Sequence, residues 1–357
     1  MLANRDRLLD EAHLVAPALA ADRELTRRAL LEHIPTDGPQ AELYDLVADY
    51  PTRASKGIRP ALCLAACRAH GGSSEEALGA AVAIELLHNA FLVHDDICDG
   101  ALQRRGTEAL HVRHGVPLAL NAGNALAWLS FQPLLEDTGE LGPRLTLDVF
   151  AEFHHLTRRT IEGHATELGW RERGFVGVDA DAYLSLVLAK TCWYSTIHPC
   201  RVGALIGSRG RADLDTIARF GFFLGAVLQV RDDIENVTDD SEAYGKDYGG
   251  DVIEGKPTLL LTHLIGVAPE PERGEVLALV GPPGERSGVA REERIERVIG
   301  LMREHGSIDY ACAFTDGLLS ATLDEFDAAM GWLPESADKS FLRSLVLFLR
   351  DPALRSP

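Results

Sequence analysis

Alternation of apolar and polar residues, the signature of a half-buried strand, is almost missing from this chain of 357 residues, which argues against a sheet framework. A basic surplus is missing too: the net charge of −19 leaves no cationic face for a phosphate backbone and argues against a nucleic-acid partner. Cysteines are few and unpaired in spacing, at 63, 67, 98, 192, 200 and 312, so they read as reduced thiols rather than a disulfide scaffold. Cys63 and Cys67 share a helix face, but no second pair completes a tetrahedral zinc site. No G-x-x-x-x-G-K-[ST] loop precedes a helix, which disfavours a nucleoside triphosphate, and no Ser-His-Asp or Cys-His spacing suggests nucleophilic catalysis. The first ten residues are too polar for a signal peptide, so a cytoplasmic protein is expected. Internal repeats and low-complexity tracts are absent as well. The longest uncharged run, Gly115 to Leu135, matches a membrane span in length but contains Pro117, Asn121, Asn124, Gln132 and Pro133. A buried helix is the expectation there, with no transmembrane segment.

What remains is a chain rich enough in apolar residues, 46% against 25% charged, to bury a large core. Apolar residues recur at helical spacing, as in Leu86, Leu87, Ala90 and Phe91 and again from Phe220 to Val230. Turn signals fall at 34–39, 51–57, 139–143, 174–181 and 281–288. The pattern predicts an all-α chain of many helices in a single domain over residues 1–357, with 266–292 as its least constrained loop.

Two acidic clusters end apolar helices. In the first, Asp95 and Asp99 stand four residues apart with Asp96 beside them, so their carboxylates crowd one helix end. In the second, Gln229, Asp232, Asp233 and Asn236 stand at i, i+3, i+4 and i+7, one polar stripe on an apolar helix. A lone Asp-Asp pair is usually a solvated helix end; two such pairs point to a cation. Crowded carboxylate oxygens suit Mg²⁺, which is held by a few carboxylates together with phosphate oxygens of a substrate. Lys56, Arg59, Arg104, Arg105, Lys190, Lys246 and Lys256 supply cations for the same anion. Metal-assisted chemistry on a diphosphate beside an apolar pocket is the reading these residues support.

From Lys56 to about Tyr310 the motifs resemble those of the polyprenyl synthetase family, the trans-isoprenyl diphosphate synthases. Lys56-Gly-Ile-Arg59-Pro resembles its first basic element, and Asp95-Asp-Ile-Cys-Asp99 with Arg104-Arg105-Gly its first aspartate-rich motif. Glu162-Gly-His-Ala-Thr-Glu and Lys190-Thr191 resemble the next two landmarks. Gln229-Val-Arg-Asp-Asp-Ile-Glu-Asn236 resembles the second aspartate-rich motif, and Gly245-Lys-Asp through Gly255-Lys-Pro follows at the family's spacing. The resemblance implies one helical bundle around a central apolar cavity, with the motif-bearing core at about 50–312, and a homodimer. It implies that Asp95, Asp96, Asp99, Asp232 and Asp233, with Asn236 as an uncharged oxygen, hold Mg²⁺. Arg104, Lys190, Lys256 and Lys246 would meet the allylic diphosphate (dimethylallyl, geranyl or farnesyl). Lys56, Arg59, His88 and Arg105 would meet isopentenyl diphosphate. Thr191 and Gln229 are oxygen-bearing groups that could steady a carbocation. Asn236 in place of Asp, Asn124 where Asp is usual, and Thr-Glu-Ala after Arg104-Arg105-Gly depart from the pattern.

Residues one, two and three turns before Asp95, namely Phe91, Leu87 and Ile84, form a stripe at helical spacing that would set the depth available to a growing chain, or would simply be core. Phe91 is bulky and Ala90 small; by the family's pattern this combination suggests a geranylgeranyl (C20) product. Two rival readings are a class I terpene cyclase, whose second metal motif is poorly matched by Asn236 and Asp240, and a regulatory subunit, which would be expected to carry broken aspartate motifs.

Overall fold

The computed structural model describes residues 15–174, 178–238, 248–281 and 288–350. The chain is all-α: among the described residues the strand pairing is a two-residue hairpin, β1 (Gln103–Arg104) antiparallel to β2 (Thr107–Glu108). The described residues form two compact units, one drawn from Met1–Thr157, Tyr194–Phe222 and Thr322–Pro357, the other from Arg158–Trp193 and Phe223–Ala321.

The first unit is organised on the helix Ser74–Asp99. Ser73 opens it with a reciprocal capping box, its hydroxyl accepting from the Glu76 N–H while Glu76 accepts from the Ser73 N–H, and Gly100 closes it at φ 63°. This helix has the length and composition of a membrane span, yet 67% of its most apolar window is buried within the protein, as in a core helix. Beside it the helices Ile58–Ala69 and His198–Gly207 pack backbone to backbone. A Cβ on Gly203 would stand 2.1 Å from the Cys63 carbonyl oxygen and one on Gly207 2.2 Å from that of Cys67, so only glycine permits the approach. Cys63 and Cys67 are therefore core residues. Burial pushes the Cys67 thiol up to about 12 and the Cys63 thiol well above its usual range, which makes them inert.

The run from Gly115 to Leu135 departs from expectation. It forms two helices, Val116–Leu129 and Phe131–Glu136, and only one face is buried, through Ala119, Ala122, Gly123, Leu126, Pro133 and Leu134. Val116, Leu120, Trp128 and Leu135 lie exposed, Trp128 by 76%.

The second unit holds the described part of 158–193 and 223–321. A ten-residue π-helical run, Leu188–Ile197, begins in it and carries Lys190 and Thr191; π geometry is uncommon and concentrates at functional sites. Gly163 lets this run come close, since a Cβ there would meet the Lys190 nitrogen at 2.4 Å. The segment 266–292, expected as a loop, contains the helix Glu272–Val280, whose N-terminal turn bears Glu272 and Glu275. Residues 282–287 of that segment lie outside the described residues, as does Lys246.

Candidate functional site

In the first unit the last turn of Ser74–Asp99 presents Asp95 and Asp99 on one face, both half-buried. Asp96 faces the other way and is fully buried. Its Oδ2 accepts the Tyr50 hydroxyl at 2.5 Å, and Arg104 donates from Nε at 2.9 Å and from Nη2 to Oδ1. The hairpin that follows carries Arg104 on β1 and Arg105 in its two-residue turn, with Arg105 at φ 53° and Gly106 at φ 73°, the paired positive φ of a type I′ turn.

The residues expected to hold isopentenyl diphosphate lie in the same unit. Arg59 donates from Nη1 to His88 Nε2 at 3.2 Å and from Nη2 to the Ser195 hydroxyl at 2.8 Å. Its guanidinium also lies 4.5 Å from the centre of the Tyr194 ring, on which His88 stacks at 5.8 Å. Burial, followed by Arg59, Arg105 and Arg104, holds the His88 pKa well below its usual range, so the imidazole is neutral. Because Nε2 accepts from Arg59, the ring proton sits on Nδ1. That Nδ1 and the Arg59 Nε are buried and have no hydrogen-bond partner, two donors left for an anion. Lys56 is exposed on the loop before them. Burial also raises the Glu85 carboxyl, and Arg59 and Arg105 are the cations that oppose that rise.

Phe91 meets Tyr194 edge to face at 5.6 Å. Leu87 and Ile84 lie in one buried cluster with Phe153, Leu156 and Val202, against which Phe91 packs. Ala90 belongs to a different one, with Leu110, Ala119, Ala122 and Leu126. The stripe predicted at helical spacing is real, and the residue adjacent to Phe91 faces another part of the core.

In the second unit Asp233 takes the place that Asp96 has in the first. It is 3% exposed; its Oδ2 accepts the Tyr183 hydroxyl at 2.8 Å and the Leu259 N–H at 3.3 Å, while Oδ1 accepts Gln229 Nε2 at 2.8 Å. Burial pushes this carboxyl up to about 7, with Asp251 adding to the rise. Gln229 is held from both ends, since its Oε1 accepts the Thr191 hydroxyl at 2.9 Å. Asp232 is half-buried, like Asp95. Lys190 donates to Glu167 at 2.8 Å, and Lys256 pairs with Glu254 at 2.5 Å and Asp251 at 3.5 Å. Asn236, expected as a metal oxygen, accepts the Asp251 N–H at 3.2 Å with one lone pair of its Oδ1, which satisfies an otherwise orphaned donor at the start of the helix Gly250–Glu254.

The donors fit Mg²⁺. Among the described residues no three His, Cys, Asp or Glu side chains stand together as an all-protein cage. Sparse carboxylate ligation completed by water and substrate oxygen is what a small hard cation uses. Within each unit the motif offers half-buried carboxylates, Asp95 and Asp99 in the first and Asp232 in the second, while the oxygens of the buried Asp96 and Asp233 accept the donors described above.

Tyr50, Arg53, Glu85, Tyr183, Tyr194 and Ser195 escape the sequence reading. Only Tyr194 and Ser195 had a local signal, since they follow Lys190-Thr191 within one short run.

The sequence model of the family described as Polyprenyl synthetase matches residues 40–297. A short chain isoprenyl diphosphate synthase of Methanothermobacter thermautotrophicus is 30% identical over 262 residues, 73% of this chain and 77% of that protein. A geranylgeranyl diphosphate synthase of Methanosarcina mazei is 31% identical over 284 residues, 79% of this chain and 82% of that protein. The crystal structure of a geranylgeranyl pyrophosphate synthetase from Pyrococcus horikoshii superposes with a TM-score of 0.82 at 28% identity, covering 93% of this chain and 98% of that one.

Proposed function

We propose, for a chain that belongs to the polyprenyl synthetase family, that its reaction is the head-to-tail condensation of isopentenyl diphosphate with an allylic diphosphate to a longer trans-prenyl diphosphate. The chain is a prenyltransferase of isoprenoid biosynthesis. Since the family match draws on both units, we treat residues 1–357 as one catalytic domain.

The observation that carries this reading is the Arg59–His88–Tyr194 array with its two unpartnered buried donors, His88 Nδ1 and Arg59 Nε. A reaction on one allylic diphosphate needs a single anion site; a condensation needs a second. The array has no role in a terpene cyclase, which is why the synthase is preferred. The nearly complete aspartate motifs disfavour the regulatory-subunit reading.

Mg²⁺ bound by the carboxylates would supply Lewis-acid neutralisation of the leaving diphosphate. Arg104, Lys190 and Lys256, with Lys246, add positive charge for the same oxygens, so the allylic C–O bond can break with its electron pair leaving on the diphosphate. Lys56, Arg59, His88 Nδ1–H and Arg105 hold isopentenyl diphosphate, so that attack of its double bond becomes a local event. The Gln229 oxygen, oriented by Thr191, would steady the developing cation as a dipole that does not trap it. A proton from the isopentenyl C2 then passes to the departing diphosphate, restoring a neutral trans alkene.

Phe91 limits the depth available to the product, and C20 is our proposed length. The exposed apolar residues on Val116–Leu129 and Phe131–Glu136 support a homodimer, since covering them on a second copy removes an otherwise costly surface.

Calorimetric titration of isopentenyl diphosphate in metal-free buffer tests the array. The wild type is expected to bind, and Arg59→Ala to weaken binding by roughly a hundredfold through loss of charge-assisted hydrogen bonds. Equal affinity in both proteins would remove the second-substrate site.

A further inference from the structure

The hairpin that bears Arg104 and Arg105 is held by two residues that lie outside every motif. Its turn is strained: Arg105 sits at φ 53°, a left-handed conformation that a side chain with a Cβ disfavours. Such strain persists only where the surroundings over-determine it, and it concentrates at functional sites.

The grip comes from Tyr50 and Arg53, at the end of and just beyond the helix Asp45–Thr52. Arg53 donates from Nη1 to the carbonyl oxygens of Arg104 at 2.7 Å and Thr107 at 3.3 Å, and from Nη2 to that of Glu108 at 2.8 Å. Its Nε is fixed on Asp49 Oδ1 at 2.6 Å, and its guanidinium lies 4.5 Å from the centre of the Tyr50 ring. The fully buried Tyr50 completes the hold in three places. Its carbonyl oxygen accepts Arg105 Nη1 at 2.9 Å, its hydroxyl accepts the Leu110 N–H at 3.2 Å just after the hairpin, and the same hydroxyl donates to Asp96. Both strands, the turn and the exit of the hairpin are thus tied to one helix end.

We propose that Tyr50 and Arg53 are positioning residues that set the Arg104 and Arg105 guanidiniums for the two substrate diphosphates. The inference rests on the reading of Arg104 and Arg105 as diphosphate ligands. It adds that their geometry is imposed from outside the motifs, by a fork that lysine cannot reproduce because an ammonium has no fixed planar set of donors.

The test uses the full chain and three variants. Arg53→Gln is expected to raise the dissociation constant of isopentenyl diphosphate, measured calorimetrically in metal-free buffer, roughly tenfold, with the same rise in KM and kcat changed about threefold or less. Arg53→Lys is expected not to rescue it. Arg105→Gln is expected to weaken binding at least as much, and the double variant no further, because the two changes act on one contact. Tyr50→Phe keeps the ring beneath Arg53 and the carbonyl that receives Arg105. It is therefore expected to raise KM for the allylic diphosphate about threefold and leave that for isopentenyl diphosphate unchanged, since what it loosens is Asp96 with its partner Arg104 and the Leu110 N–H beyond the hairpin. If Arg105→Gln weakens binding while Arg53→Gln and Tyr50→Phe lower only the melting temperature, the clamp is merely structural and the inference is overturned, with the diphosphate reading intact. If Arg105→Gln leaves binding unchanged, that reading fails and the inference falls with it.

Discussion

Asp96 and Asp233 are each the second carboxylate of an Asp-Asp pair near the end of an apolar helix, each 3% exposed or less, and each accepts a tyrosine hydroxyl, from Tyr50 and Tyr183 respectively. They differ in what completes the environment. Asp96 receives the guanidinium of Arg104, whereas Asp233 receives the neutral donors Gln229 Nε2 and the Leu259 N–H and has Asp251 as a charged neighbour. Burial, with Asp251 adding to it, pushes the Asp233 carboxyl up to about 7 against the opposing pull of those hydrogen bonds. One sequence pattern therefore carries two electrostatic solutions, an ion pair in the first unit and a hydrogen-bonded carboxyl in the second. The pattern fixes where the carboxyl points; the partner fixes whether a charged or a neutral donor meets it. In both motifs the inward aspartate anchors its own helix to a tyrosine of the same unit.

The difference predicts unequal costs of truncation. Asp96→Ala strands a buried guanidinium and is expected to destabilise the protein by about 3–5 kcal/mol. Asp233→Ala strands only neutral donors and is expected to cost about 1–3 kcal/mol. Urea unfolding of metal-free protein at pH 8 measures both, and equal losses would show that the partner's charge does not matter.

Next in size is the effect on product length. Phe91 packs against the Ile84 and Leu87 cluster, and Ala90 against a different one, so the two positions separate depth from packing. Phe91→Ala is expected to shift products from C20 towards C25. Ala90→Phe is expected to leave product length unchanged and to cost about 1–3 kcal/mol by overpacking. Chromatography of dephosphorylated products reads the first effect and thermal melting the second; an unchanged product distribution in Phe91→Ala would end the depth assignment.

A smaller effect comes from Asp137, a half-buried residue of the first unit whose carboxyl has neither Arg104's counterpart nor a full set of donors. Its Oδ2 has no partner, and burial, then Glu140 and Glu136, push it up to about 7. A carboxyl whose folded pKa is raised favours the folded state while protonated, and that advantage is lost as pH rises from about 4 to about 7. Asp137→Asn should therefore raise the melting temperature at pH 8 by a few degrees and scarcely at pH 4, where the wild-type group is already protonated. An equal gain at both pH values would mean that Asp137 is not the source.

The acidic helix ends and their cations were legible in the sequence because i, i+3 and i+4 spacing states which side chains share a face. The partners were not legible. Tyr50 lies 46 residues before Asp96 and Tyr183 50 residues before Asp233, and neither distance leaves a local mark. Spacing places the Asn236 oxygen on the stripe of the second motif; only the fold reveals that this oxygen also accepts the Asp251 N–H. Gly115 to Leu135 misled through composition, since an uncharged run does not disclose that one face, with Trp128, will remain uncovered in the chain by itself. The helix Glu272–Val280 was hidden by the proline-rich segments on either side of a run only nine residues long.

The central claim, a condensation using two diphosphate sites, is tested most directly by mass spectrometry of products from purified protein with Mg²⁺ and C5, C10 or C15 allylic diphosphates, each with and without isopentenyl diphosphate. The account predicts linear C20 diphosphate from all three primers only when isopentenyl diphosphate is present. A hydrocarbon or alcohol formed from an allylic diphosphate alone would contradict it and make the protein a cyclase.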